Sequence, residues 1–159
     1  MRKKYSVIVF SISLFILLIT AVITYNGMKA DREISCLAIQ STTHGNFFAQ
    51  AEFDFLFSEK KGRVRINGST ELSGRVNIVS RQIFFNYTRY GADFMLESQQ
   101  VQMMNNGDTA IANADFSHHF PAFFSQEKKQ LDMTIRQDRS GNFVMSFANI
   151  PVFYCQPVK

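Results

Sequence analysis

Behind Met1-Arg2-Lys3-Lys4 the chain carries 21 consecutive residues, 5–25, without a single charged side chain. At 1.5 Å per residue a helix of that length is about 30 Å long, the thickness of a bilayer's hydrocarbon core. The run is therefore expected to cross a membrane once. Arg2, Lys3 and Lys4 belong on the cytoplasmic side, and everything beyond residue 26 on the far side. A cleaved signal peptide also begins with basic residues, but its apolar core is only about 7–15 residues long and ends at a small-x-small site. Here Ile19-Thr20-Ala21 and Met28-Lys29-Ala30 each put a bulky residue first. The expected organisation is a cytoplasmic stub (1–4), an uncleaved transmembrane helix (5–25), a juxtamembrane linker (26–32) and one exported domain (33–159).

The formal charge of +4 invites a nucleic-acid reading, which its distribution removes. Of the 17 Lys and Arg, 14 follow residue 27 and face all 13 acidic residues, a net of +1 for the exported part. That is no footprint for a phosphate backbone. Lys60-Lys61-Gly62-Arg63-Val64-Arg65, the only basic cluster, reads as a solvated turn and strand face.

Cys36 and Cys155, the only cysteines, flank the exported domain in a compartment expected to be oxidising, so a bridge between them is plausible. The alternative is a pair of buried thiols.

Beyond the anchor the apolar period changes to two. Phe47, Ala49, Ala51, Phe53, Phe55 and Phe57 alternate with Phe48, Gln50, Glu52, Asp54, Leu56 and Ser58, the pattern of a half-buried strand. Val64, Ile66, Gly68, Thr70 and Leu72 repeat it, with Lys61-Gly62 as the expected turn between the two strands. Residues 76–90 and 92–103 continue in β-branched and aromatic residues up to the turn signal Asn105-Asn106-Gly107-Asp108. Leu131, Met133 and Ile135 alternate again, as do Phe143, Met145 and Phe147 after the turn at 138–142. The expected fold class is mainly β: an antiparallel domain, either barrel or sandwich, with the terminal cysteines favouring a sheet whose end strands meet.

One segment departs from this pattern. Phe116, Phe120, Phe123 and Phe124 fall at helical spacing, and Pro121 suits a first helical turn, so a short helix is expected near 121–127. Its apolar face either plugs one end of the sheet or acts as a lid over an apolar cavity. In the second case Phe53, Phe55, Phe57, Phe120, Phe123 and Phe124 would be ligand-binding residues; in the first, the same rings simply fill the core.

Catalytic signals are lacking. No Gly-rich phosphate loop, Gly-x-Ser-x-Gly elbow, His-Glu-x-x-His helix or Cys-x-x-Cys pair occurs, so no catalytic residue, cofactor or metal is expected. His118 and His119 are adjacent and project apart on a regular element, and Glu52 and Asp54 share a strand face that reads as solvent-facing.

The short basic tail, single anchor, Cys36 and aromatic alternating strand resemble the FidL-like inner-membrane proteins of enteric bacteria. So do Ser80-Arg81-Gln82-Ile83-Phe84-Phe85-Asn86-Tyr87 and the closing Asn149-Ile150-Pro151-Val152-Phe153-Tyr154-Cys155. The resemblance implies a bacterial inner-membrane location, with the amino terminus cytoplasmic and the β domain periplasmic. By analogy with ToxS-like and VtrC-like partners, it also implies a lipocalin-like assembly with a membrane-bound regulator of the ToxR/CadC kind. That assembly would have a cavity able to take an amphipathic molecule such as a bile salt. The expected function is a non-enzymatic accessory or co-sensor subunit of such a regulator. The alternative is a stand-alone carrier of a lipid or other apolar small molecule, which would need a cavity within one chain.

Overall fold

The computed structural model describes residues 11–22, 33–104, 108–109 and 119–158, in two units divided between Arg32 and Glu33. In the first unit residues 11–22 are helical, with Phe15, Leu17 and Leu18 exposed and the Thr20 hydroxyl 2.9 Å from the Leu17 carbonyl oxygen. Among the described residues no helix is long and apolar enough to cross a membrane. Arg2, Lys3, Lys4, both ends of the expected span (5–10 and 23–25) and the linker 26–32 lie outside the described residues.

The second unit is a closed antiparallel barrel in which eight strands follow one another in chain order. They are β1 (Ile34–His44), β2 (Phe47–Ser58), β3 (Lys61–Leu72), β4 (Arg75–Tyr90), β5 (Asp93–Met103), β6 (Gln130–Gln137), β7 (Phe143–Phe147) and β8 (Ile150–Pro157). The expected choice between barrel and sandwich thus resolves to a barrel. Closure comes from a short stretch of pairing, Cys36 with Pro157 and Leu37 with Gln156, and from the Cys36–Cys155 disulfide beside it, whose Cα atoms are 5.4 Å apart.

The β2–β3 turn is not at Lys61-Gly62. It is made by Glu59 and Lys60, both at positive φ (51° and 64°), and Gly62 pairs with Phe57 inside the ladder. Two requirements select this register. A two-residue turn of that hand matches the strand twist, and this pairing keeps Phe55 opposite Val64 and Phe53 opposite Ile66 on the inner face. Gly62 serves a different purpose: a Cβ there would collide with the Phe85 ring, which lies over the glycine.

β4 is the longest strand and pairs with β3 along residues 75–86 and with β5 along 81–90. At Phe84/Phe85 the register shifts and Gln99 becomes the extra residue on β5, which keeps Ser98 and Val101 on the inner side despite their odd spacing. β1, whose second half is Gln, Ser and Thr, and β8 complete the barrel; neither carries the strong alternation of β2.

The helix expected near 121–127 is a single 3-10 turn, Ala122–Phe124, followed by turns and bends to residue 128. Pro121 sits just before its first residue, which suits the missing N–H, but the Ser125 N–H bonds back to Ala122 and nothing continues the helix. Phe116 and the turn residues 105–107 lie outside the described residues.

Candidate functional site

The alternation of β2 points Phe53, Phe55 and Phe57 into the barrel, each fully buried, and the 3-10 turn delivers Phe123 and Phe124 to the same space, with Phe120 nearly buried beside them. The six rings form one connected network. Phe53 lies 6.4 Å from Phe120 and 5.8 Å from Phe124, and Phe123 meets Phe124 edge-on at 5.2 Å. Phe153 of β8 fits against Phe53 at 4.6 Å and Phe55 at 5.2 Å; Phe57 meets Phe85, Phe94 and Tyr87 at 5.3–5.5 Å. Such tilted and edge-to-face contacts are how rings fill a volume without stacking face to face. The structure brings together all six residues that the sequence nominated for an apolar ligand, as a packed aromatic interior.

One charged pair lies within this region. The same inner face of β4 that carries Ile83 and Phe85 carries Arg81, which is fully buried. Its guanidinium grips Asp108 with two bonds, Nε to Oδ2 at 2.9 Å and Nη2 to Oδ1 at 2.8 Å, and a third donor reaches the Phe124 carbonyl at 3.4 Å. The carboxylate also accepts from the Ser80 N–H at 3.1 Å, and Thr109 exchanges bonds with the Ile78 backbone. Forked, charge-assisted bonds of this kind are strong and directional. They tie the chain after β5 and the 3-10 turn to one strand. The sequence reading missed Arg81, though parity within β4 places it on the side of Ile83, Phe85 and Tyr87 and so points it inward.

At the β1–β2 corner, His119 stacks on Phe47 with ring centres 3.8 Å apart and planes 13° from parallel, and stands 5.7 Å from His44. His118 lies outside the described residues. Among the described residues no three His, Cys, Asp or Glu gather where a metal ion could be held.

Two adjoining grooves, of about 360 and 410 Å3, lie on the outer wall where β6 meets β7 and share Thr134, Ser146 and Asn149. The first is flanked by Tyr90 and Met95, the second by Arg136 and Val144. Beside them Tyr154 donates to Asp138 at 2.7 Å and accepts from the Asn142 amide at 2.7 Å. The Tyr154 hydroxyl, followed by backbone N–H groups of Asn142 and Ser140, holds the Asp138 carboxyl below the usual carboxylate range despite an opposing effect of burial. The same bond raises Tyr154.

Charged side chains elsewhere on the wall sit as the alternation predicts: Glu52 is exposed, Asp54 half-buried opposite Arg65, and Arg63 half-buried opposite Leu56.

The chain belongs to the family of the YqeJ C-terminal domain, whose model matches residues 32–155, the whole barrel up to the second disulfide cysteine. No curated protein and no solved structure matches the chain.

Proposed function

We propose that this chain is a membrane-anchored, non-enzymatic accessory subunit whose barrel engages a membrane-bound transcription regulator of the ToxR/CadC kind on the periplasmic side of a bacterial inner membrane. The observation that carries the reading is where free surface lies. The inner face is occupied by interlocking rings, while the grooves and several large apolar side chains (Ile39, Tyr90, Ile150, Tyr154) are on the outside. A wall of that kind suits a protein partner better than it suits an enclosed small molecule.

The resemblance of the layout to FidL-like proteins supports the same reading, as does the apolar run behind Arg2, Lys3 and Lys4. The anchor would raise the effective concentration of two membrane-bound partners. A bile salt or similar amphipath would then bind at the joint between the two proteins, reaching Phe120, Phe123 or Phe124 only if the 3-10 turn moves.

Detergent extraction followed by co-purification tests the proposal. The regulator encoded beside this chain should be retained with it, and should fall in level or output when the chain is deleted. A chain that purifies alone, with an unaltered regulator after deletion, would overturn it.

A further inference from the structure

The eight strands close on one another without help from the chain between β5 and β6. A barrel of this size is just wide enough inside to be filled by its own side chains or to hold one small ligand. Here part of the filling does not come from the strands. Phe123 and Phe124 are fully buried on a single 3-10 turn, Phe120 is nearly so, and the Asp108 carboxylate is wholly enclosed. All four belong to the connection between Met103 and Gln130. Phe123 lies 5.5 Å from Phe85, and Phe124 lies 5.8 Å from Phe53 and 6.5 Å from Phe153.

The wall supplies the complement. Arg81 stands in one row with Ile66 and Phe53 across three adjacent strands, and among the described residues it is the one charged residue that a strand buries. Its guanidinium holds a carboxylate in the forked geometry this group favours. The connection thus brings to that cation one carboxylate and a set of phenyl rings, which together have the chemistry of an amphipathic anion. The part that carries the rings is slight: a turn of three residues with no side-chain cap, its Phe124 carbonyl reached by Arg81 at 3.4 Å. Short irregular segments of this kind open locally before a sheet does.

We propose that Asp108, Phe123 and Phe124 are an internal stand-in for a ligand, an apolar molecule with a single carboxylate that replaces Asp108 on Arg81 while its hydrocarbon replaces the two rings. Such a molecule keeps the guanidinium paired. A neutral or cationic amphipath would leave it buried and uncompensated, which is heavily penalised. The hydrocarbon leaves water for the volume bounded by Phe53, Phe85 and Phe153. The connection is then a competitor, and the apparent affinity scales with the fraction of chains in which it is displaced. This assignment rests on the reading above only in that an amphipath reaches these rings; no contact with a regulator is needed.

Binding of dodecanoate to the full chain in nanodiscs of zwitterionic lipid tests it. Dodecanol and dodecyltrimethylammonium serve as probes that enter the same lipid with no charge and with the opposite charge. Dodecanoate alone should speed amide exchange at Thr109, Phe124 and Ser125, whose bonds hold the connection, while β2 and β4 stay protected. Asp108→Asn removes the competing carboxylate and should bind dodecanoate about ten-fold more tightly than the parent. Arg81→Met combined with Asp108→Leu removes the anchor without leaving a buried charge, so it should keep the fold and lose any preference for dodecanoate over dodecanol. Exchange that responds to all three probes or to none would overturn the assignment. So would an Asp108→Asn chain that binds no tighter than the parent, or a double variant that still prefers dodecanoate. If Asp108→Asn fails to fold, the exchange pattern of the parent and the preference of the double variant decide. None of these outcomes alters whether the regulator co-purifies, so the two proposals fail separately.

Discussion

Arg81 is the residue on which the second unit concentrates its electrostatics. Burying a guanidinium and a carboxylate is costly, and the pair is tolerable because both carboxylate oxygens and all three guanidinium nitrogens are engaged, at 2.8–3.4 Å. Arg81→Met alone leaves Asp108 buried and uncompensated, and is expected to destabilise the barrel by about 3–5 kcal/mol. Arg81→Met combined with Asp108→Leu should cost far less than the sum of the two single changes, a coupling that urea unfolding of the four proteins measures directly. Additive losses would mean that the pair acts only through packing. At the surface, Asp138 and Tyr154 make a different test. The lowered carboxyl contributes stability that is present above its ordinary value of 3.8 and is lost as pH falls through the folded-state value. The raised phenol contributes stability present below its ordinary value of 10.0 and lost as pH rises through the folded-state value. Tyr154→Phe should move the Asp138 titration, followed by carboxyl NMR, back up toward 3.8, and the stability gap from the parent should close below that pH. An unmoved Asp138 titration would show that the backbone donors suffice.

At the scale of elements, the β2–β3 hairpin shows how register overrides local preference. Glycine at 62 looked like the turn, yet the inner-face pairing of Phe53 and Phe55 with Ile66 and Val64 demanded the turn two residues earlier, on Glu59 and Lys60. Left-handed backbone at such residues costs on the order of 1 kcal/mol each, and Asn-Gly adopts it readily. Replacing Glu59-Lys60 by Asn-Gly is therefore expected to raise stability by about 1 kcal/mol, seen as a higher urea midpoint with an unchanged slope. A fall in stability would mean that the two charged side chains hold contacts worth more than the strain. β2, β3 and the first half of β6 were legible because one face of each is buried and the other wet, so alternation is forced. β1 and β8 were harder to read. The second half of β1 is polar on both faces, and β8 is short and begins with Ile150-Pro151.

For the whole molecule, closure depends on one short contact. β1 and β8 meet over two residue pairs, and the bridge from Cys36 to Cys155, separated by 119 residues, holds the ends together. Linking so long a loop removes on the order of 4–5 kcal/mol of unfolded-chain freedom in the entropic model. A Cys36→Ser/Cys155→Ser chain should accordingly unfold at a markedly lower urea concentration, with β1 and β8 losing amide-exchange protection first. If exchange stays uniform and the midpoint barely moves, the aromatic interior closes the barrel unaided.

The sequence by itself determined the mainly antiparallel β class, because hydrophobic period is a local property of the chain, and it named the two cysteines, leaving to the structure whether they bridge. It also nominated the six phenylalanines that share the interior. Tertiary structure alone decided the barrel over the sandwich, since closure depends on where β1 and β8 meet and alternation within a strand carries no record of its distant neighbour. The same holds for Arg81 with Asp108, 27 residues apart. A partner for a buried charge exists only once the chain has come back on itself.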